Sequence, residues 1–311
     1  MATESGRAPR IAVVGSYNHD LSMSVTSLPA PGETVLGGGF AEGTGGKGSN
    51  QAVGAARLGA TTSFVGCIGT GRFGDAAMDL WNEEGVGAEC VRRTDATRTG
   101  VAFVLVDDDG ENIISVAPGA NSRLTTADIR DAGEVIRAAD VLLCQLETEL
   151  DPVVEAVRIA AGAGTEVILN PAPARELPAS LLSNVGVLTP NRTEARILAG
   201  HDPTADVAAP TLLDELAAFG VPRTVLTLGA DGALVDGGGA RERVDAIDVD
   251  VVDTTGGGDA FNAGVAVARA EGRSLLDAAR FGCACGGLAC TASGVVPALP
   301  ERSAVDVYTT E

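Results

Sequence analysis

Residues Asp253-Thr254-Thr255-Gly256-Gly257-Gly258-Asp259-Ala260-Phe261-Asn262-Ala263-Gly264 run three glycines directly into an apolar-periodic segment that reads as a helix. Glycines let the backbone approach a ligand closely. Amides at a helix N-terminus make an anion site. A carboxylate, Asp259, stands at the mouth of that site, where it repels a resident anion. Accepting a proton from a hydroxyl that attacks a phosphoryl group is a reason for its presence. A glycine-rich loop with an acidic helix cap is the structural alternative.

A second glycine-rich segment, Gly43-Thr44-Gly45-Gly46-Lys47-Gly48-Ser49-Asn50-Gln51-Ala52, also reads as the opening of a helix. Gly43, Gly45 and Gly48 fit G-x-G-x-x-G, but no Asp or Glu lies between Glu42 and Asp75. A dinucleotide site needs such an acid roughly 20 residues on, so hydride transfer is disfavoured. Nor is this a P-loop, because Ala41 and Gly48 stand where that motif needs Gly and Ser or Thr.

The 311 residues are 45% apolar, enough for a large core in one or two domains. No apolar run approaches the roughly 18 residues of a membrane span. The N-terminal MATESGRAPR is polar and lacks an apolar stretch, so no secretory signal is expected. The six cysteines form no C-x-x-C pair. Cys283, Cys285 and Cys290 read as small packing positions in an Ala/Gly-rich helix, and a reducing cytoplasm is expected. A net charge of −20 argues against nucleic acid and anionic membranes as partners. Lys47 is the only lysine, and an acidic, lysine-poor composition suggests a halophilic source.

Short β-branched runs at Ile11–Val14, Ser63–Cys67, Val141–Gln145, Glu166–Leu169, Gly186–Leu188 and Thr224–Leu228 read as buried strands. Helical patterns cover 48–58, 73–84, 151–162, 192–199 and 211–219. The alternation predicts an α/β fold, a mostly parallel sheet with helices on both faces. Ligands of such sheets bind beyond the strand C-termini, and Asn18, Glu147, Asn170 and Asn191 all follow strands. Two regions break the alternation. A period-two pattern runs through 19–41, and 100–106 and 111–117 flank the turn Asp107-Asp108-Asp109-Gly110. These pieces predict a small separate sheet.

The two glycine segments together resemble the ribokinase family of carbohydrate kinases, the PfkB group. So do Gly15–Asp20, Pro31–Thr34, Gln145–Glu147, Asn170–Arg175, Thr189–Ala195 and Thr227–Gly229 in that order. The resemblance runs from Val14 to about Pro300 and implies a single ribokinase-like domain over 1–311. Its lid comes from about 19–41 and 100–117 and often forms a homodimer contact; an exposed apolar sheet face invites such pairing.

The implied activity is ATP-dependent phosphorylation of the 5-hydroxyl of D-ribose. A nucleoside, deoxyribose or ribose 1-phosphate is the alternative acceptor, and a catalytically silent sugar binder the more distant reading. On this resemblance Asn18, Asp20, Gly45, Gly46, Lys47, Asn50 and Glu147 hold the sugar. The amides of Gly256, Gly257 and Gly258 hold phosphoryl charge, and Asp259 is the base. Asn191, Thr227, Gly229 and Gly232 serve ATP, with Gly258, and the segment Gly282–Gly286 passes the adenine. Glu194 organises Mg²⁺ through water. Asp253, with backbone oxygens of Thr255, Ala289, Ala292 and Gly294, holds an activating K⁺. The family usually has Ala where Gly257 stands, and the space at the sugar's carbon 1 lies open to His19, Thr44 and Arg98.

Overall fold

The computed structural model describes residues 7–309; the first six residues of the polar N-terminal segment and the last two of the chain lie outside them. Thirteen strands form two sheets. They are β1 (Arg10–Val14), β2 (Asn18–Ser24), β3 (Phe40–Gly45), β4 (Thr61–Gly69), β5 (Gly87–Thr94), β6 (Gly100–Val106), β7 (Asn112–Ala117), β8 (Val141–Cys144), β9 (Glu166–Leu169), β10 (Val187–Leu188), β11 (Thr224–Thr227), β12 (Ala233–Asp236) and β13 (Glu242–Val244). The large sheet has the order β13-β12-β11-β10-β9-β8-β1-β4-β5. It is parallel except for β12 and β13, which pair antiparallel at one edge. All six expected strands and all five expected helices are present with boundaries shifted by a residue or two. The edge strand β5 and the short strands β12 and β13 were not anticipated.

Alternate residues of each central strand serve opposite faces, as the pleat requires. Ile11, Val13, Leu143 and Ile168 pack with the helices Lys47–Arg57, Gly257–Ala270 and Leu275–Ala289. Ala12, Val14, Leu142, Cys144 and Leu169 pack on the other face against Ile129, Ile136, Val153, Val157 and Leu212. Two covered faces explain why these strands read as continuous apolar runs. Cys283 and Cys285 sit in the first core, and all six cysteines are free thiols.

The helices Lys47–Arg57 and Gly257–Ala270 approach each other through small residues. A Cβ added at Gly54 would lie 2.9 Å from the Ala263 Cβ. Gly54 follows Asn50 and Gln51 by one turn, and Ala263 follows Asp259 by one turn. The close crossing therefore sets those polar side chains against the carboxylate.

The second sheet has the order β3-β2-β6-β7. Its hairpin closes through Asp107–Gly110, where the Asp107 carboxylate accepts from the Asp109 and Glu111 amides at 3.1 and 2.9 Å. The returning strand β3 runs to Gly45, beyond the expected bound at 41, so Gly43–Gly45 belong to a strand rather than to the opening of a helix. Register explains this: Asn18 pairs with Gly45 and Asp20 with Gly43, so sheet pairing overrides glycine's poor strand propensity.

Candidate active site

β1 lies between β4 and β8 in the sheet, so the chain leaves it in both directions. Such a switch point opens a crevice beyond the strand ends. Ser16–Asp20 follow β1 there, Glu147 follows β8, Asn170 follows β9 and Asn191 follows β10. Gly46 caps the helix Lys47–Arg57 at φ 89°, and a Cβ on it would lie 2.7 Å from Tyr17 Cα and from the Asn18 amide nitrogen. Only glycine allows this helix start to rest against the β1–β2 connection.

The Lys47 amide donates to Glu147 Oε2 at 3.0 Å, and the Ser16 hydroxyl donates to the same oxygen. Burial and the neighbouring Glu147 push Asp20 up to about 6. Asn121 donates from Nδ2 to Asn18 Oδ1 at 2.9 Å, which turns the Asn18 NH₂ group the other way. Asn50 donates from Nδ2 to Asp259 Oδ2 at 2.8 Å, and Gln51 from Nε2 to Asp259 Oδ1 at 2.9 Å. Asn50 Oδ1 is buried with no partner among the described residues. A buried acceptor of this kind beside a carboxylate suits a bound hydroxyl. Asp259 is only 7% exposed.

Lys47 is raised by Asp259, against a lowering by burial, with Glu147 and Glu194 adding to the rise. One cation thus faces three carboxylates. His19 does not turn toward the sugar groups. Its Nε2 lies 2.8 Å from Glu42 Oε2 and its ring stacks on Phe73 at 4.0 Å; Arg98 is exposed.

A cavity of about 250 Å³ is lined by Lys47, Asn191, Glu194, Gly256, Gly258 and Asp259. A second, of about 430 Å³ and more apolar, is lined by Thr227, Gly229, Gly232, Val251, Phe261 and Gly286. The two share Thr227, Thr254 and Gly258, so a polar chamber opens into an apolar cleft. That pairing suits a phosphate chain joined to a flat base.

Gly256 caps the helix Gly257–Ala270 in the left-handed conformation at φ 84°. The Gly257 amide is already taken by the Thr254 carbonyl at 3.2 Å, which leaves the first-turn amides beyond it at the open helix start. Asn191 and Glu194 form a reciprocal capping box: Asn191 Oδ1 accepts from the Glu194 amide at 2.8 Å, and Glu194 Oε2 from the Asn191 amide at 2.9 Å. Asn191 therefore plays the part usually given to Ser or Thr. Burial raises Glu194, opposed by the Asn191 hydrogen bond and Lys47 and helped by Asp259. Its Oε1 is left outside the cap, which suits a hydrated Mg²⁺ held through water.

Asp253 Oδ1 accepts from the Thr255 amide at 2.9 Å and Oδ2 from the Gly294 amide at 3.3 Å. Burial raises this carboxyl, but the Thr255 and Gly294 hydrogen bonds outweigh it and lower it overall. The Val252 and Asp253 amides both meet the Cys290 carbonyl, at 2.8 and 3.2 Å. Asp253, Thr255 and Gly294 are thus joined directly. Ala289 ends the adjoining helix Leu275–Ala289, and Ala292 lies in the turn that follows. The Asp253 carboxylate and the nearby Cys290 carbonyl are oxygen donors, chemistry of the kind that suits K⁺.

A model of the pfkB family carbohydrate kinases matches residues 8–302. The chain belongs to the pfkB family of carbohydrate kinases. Ribokinase of Haemophilus influenzae is 38% identical over 292 residues, covering 94% of this chain and 95% of that protein. Deoxyribokinase of Salmonella typhi is 36% identical over 256 residues, covering 81% and 82%. The structure of Arabidopsis thaliana ribokinase complexed with ribose and ATP superposes with a TM-score of 0.91 at 31% identity, covering 98% of this chain and all of that one. Sequence reasoning on this pfkB kinase missed Gln51 and Asn121 as site residues. Gln51 stood inside a quoted motif, whereas nothing local marks Asn121, whose partners lie 103 and 104 residues away.

Proposed function

We propose that this kinase transfers the terminal phosphoryl group of ATP to the 5-hydroxyl of D-ribose, giving ribose 5-phosphate and ADP. The observation that carries the reading is Asp259, a buried carboxylate at a glycine-capped helix start, facing a polar chamber that opens into an apolar cleft. A pure binding protein has no use for a base in an anion site. Asn18, Asp20, Glu147 and Asn50 orient the sugar, with backbone of Gly45 and Gly46 against the ring. Asp259 takes the hydroxyl proton as the oxygen attacks phosphorus and the bond to ADP breaks. Lys47 and the amides of Gly256 and Gly258 hold the charge that spreads over the transferring group, the Gly257 amide being taken by the Thr254 carbonyl. Asn191, Thr227, Gly229 and Gly232 line the path of the nucleotide.

Mg²⁺, held through Glu194 and water, supplies charge neutralisation when bound. K⁺ at Asp253 orders the glycine loop. The reading takes 1–311 as one catalytic unit, paired as a homodimer through the small sheet and working in a salt-rich cytoplasm. Among the described residues no helix is long and apolar enough to cross a membrane.

The deoxyribokinase relative makes the acceptor the finer question. An ADP-release assay across ribose, 2-deoxyribose, ribose 1-phosphate, fructose and nucleosides decides it. Ribose is expected to give the highest kcat/KM, because a site built to pair hydroxyls rejects analogues that leave its polar groups unmatched. A preference of about tenfold or more for ribose 1-phosphate or a nucleoside overturns ribose and leaves the kinase assignment standing.

A further inference from the structure

Gln51, Gln145, Asn170, Thr189 and Asn262 are buried polar residues beside the base with no part in the mechanism above. Each comes from a different motif segment of the sequence. Together they make one hydrogen-bond circuit. Gln51 Nε2, at Asp259 Oδ1, also lies 3.2 Å from Asn170 Oδ1. Asn170 Nδ2 donates to the Thr189 carbonyl at 3.2 Å. The Thr189 hydroxyl donates to Asn262 Oδ1, and Asn262 Nδ2 donates to the Gly258 carbonyl at 2.8 Å. Behind Gln51, Gln145 donates from Nε2 to Gln51 Oε1.

The circuit leaves the Asp259 carboxylate and returns to the carbonyl of the residue before it. Its direction is fixed at every link. An ionised carboxylate only accepts, so Gln51 turns its NH₂ group to Asp259 and its oxygen to Gln145. Asn170 must then accept from Gln51 and donate to Thr189, and Asn262 must accept from Thr189 and donate to Gly258. Each Asp259 oxygen accepts one amide bond and keeps a second lone pair, so the arrangement fixes the carboxylate and leaves it able to take the hydroxyl proton.

We propose that Gln51 is a positioning residue for the phosphoryl-transfer base. It fixes Asp259 Oδ1 and, through Asn170, Thr189 and Asn262, ties the carboxylate to the helix turn that carries the anion-binding amides. The inference rests on the reading of Asp259 as the base. Gln51 differs from its neighbour Asn50. Asn50 keeps a bare acceptor beside Asp259, whereas Gln51 is fully buried with both ends of its amide engaged. The charged groups whose fields reach Asp259 are Lys47, from the start of the same helix, and Glu194, from the helix Arg192–Leu198. Neither changes when Gln51 is replaced.

The test is Gln51→Met, which keeps length and removes the donor, assayed for kcat and for the KM of each substrate. A hydrogen bond to a charged group is lost, so kcat is expected to fall roughly ten- to a hundredfold. KM for ribose and ATP should stay within about threefold. Thr189→Val cuts the far side of the circuit and should give the same pattern, weakened to roughly three- to tenfold in kcat. Thermal melting and calorimetric binding of ATP establish that each variant is folded; if Gln51→Met does not fold, Thr189→Val decides by the same readouts. A folded Gln51→Met enzyme with kcat within about twofold of wild type overturns the proposal. So does one in which only ribose KM rises. Asp259→Asn separates the two levels: near-normal turnover there sinks the base itself, whereas its loss beside a normal Gln51→Met enzyme sinks the positioning role alone.

Discussion

Burial, with the Glu147 carboxylate adding to it, lifts Asp20 to about 6. If Asp20 accepts hydrogen bonds from two sugar hydroxyls, it must be ionised to do so. Ribose KM is therefore expected to rise as pH falls through 6, while ATP KM changes much less. Asp20→Asn should bind ribose more weakly and lose this pH dependence. The sign for stability is opposite. A carboxyl raised above its unfolded value binds its proton more tightly when folded, so Asp20 gains stability as pH falls from about 6 toward its unfolded value. Acid weakening of ribose binding thus arises at the site and not from unfolding. A ribose KM that is flat between pH values of about 5 and 8 removes Asp20 from the sugar site. Candidates of this kind could be marked in the sequence because Asn18, Glu147 and Asn191 each follow an apolar run. Asn121 could not, because its role comes from clamping the Tyr17 backbone and Asn18 across the fold.

At the scale of elements, the strand–helix alternation was readable because parallel strands covered on both faces carry an unbroken apolar signature. The hairpin β6–β7 was readable from its Asp-rich turn with Gly110 at φ 83°. β3 was not, since Gly43 and Gly45 carry no strand propensity and owe their state to pairing with β2. The same small sheet leaves Phe40, Phe103, Ile113, Ile114 and Val116 exposed. Every residue of β7 is exposed. By register Phe40, Phe103 and Ile113 share one face, and Ile114 and Val116 the other; an apolar face on a sheet with open edges calls for a partner, and a second copy of the sheet is the occupant proposed above. Phe103→Ser with Ile113→Lys is expected to convert a dimer to a monomer in sedimentation and to weaken ribose binding, because the same sheet carries Asn18 and Asp20. A wild-type protein that sediments as a monomer at all concentrations overturns the pairing.

At the scale of the whole molecule, 42 acidic residues stand against 22 Lys and Arg, and none of the 22 is fully buried. Self-repulsion of such a surface opposes the compact state. Two effects of salt then need separating. One is general: raising ionic strength from ~0.1 M to ~1 M shortens the Debye length from about 10 Å to about 3 Å and screens the repulsion. The other is specific to the loop that Asp253 ties to Gly294. Melting temperature is therefore expected to rise with potassium chloride and with tetramethylammonium chloride alike. If the loop holds the cation proposed at Asp253, turnover at matched ionic strength should be higher in potassium than in the bulkier tetramethylammonium. Asp253→Ala should lose the potassium activation and keep the rise in melting temperature, since one charge in a surface of −20 hardly alters the general term. Equal turnover in the two salts overturns the cation site, and a melting temperature that does not rise in either overturns the dominance of surface repulsion.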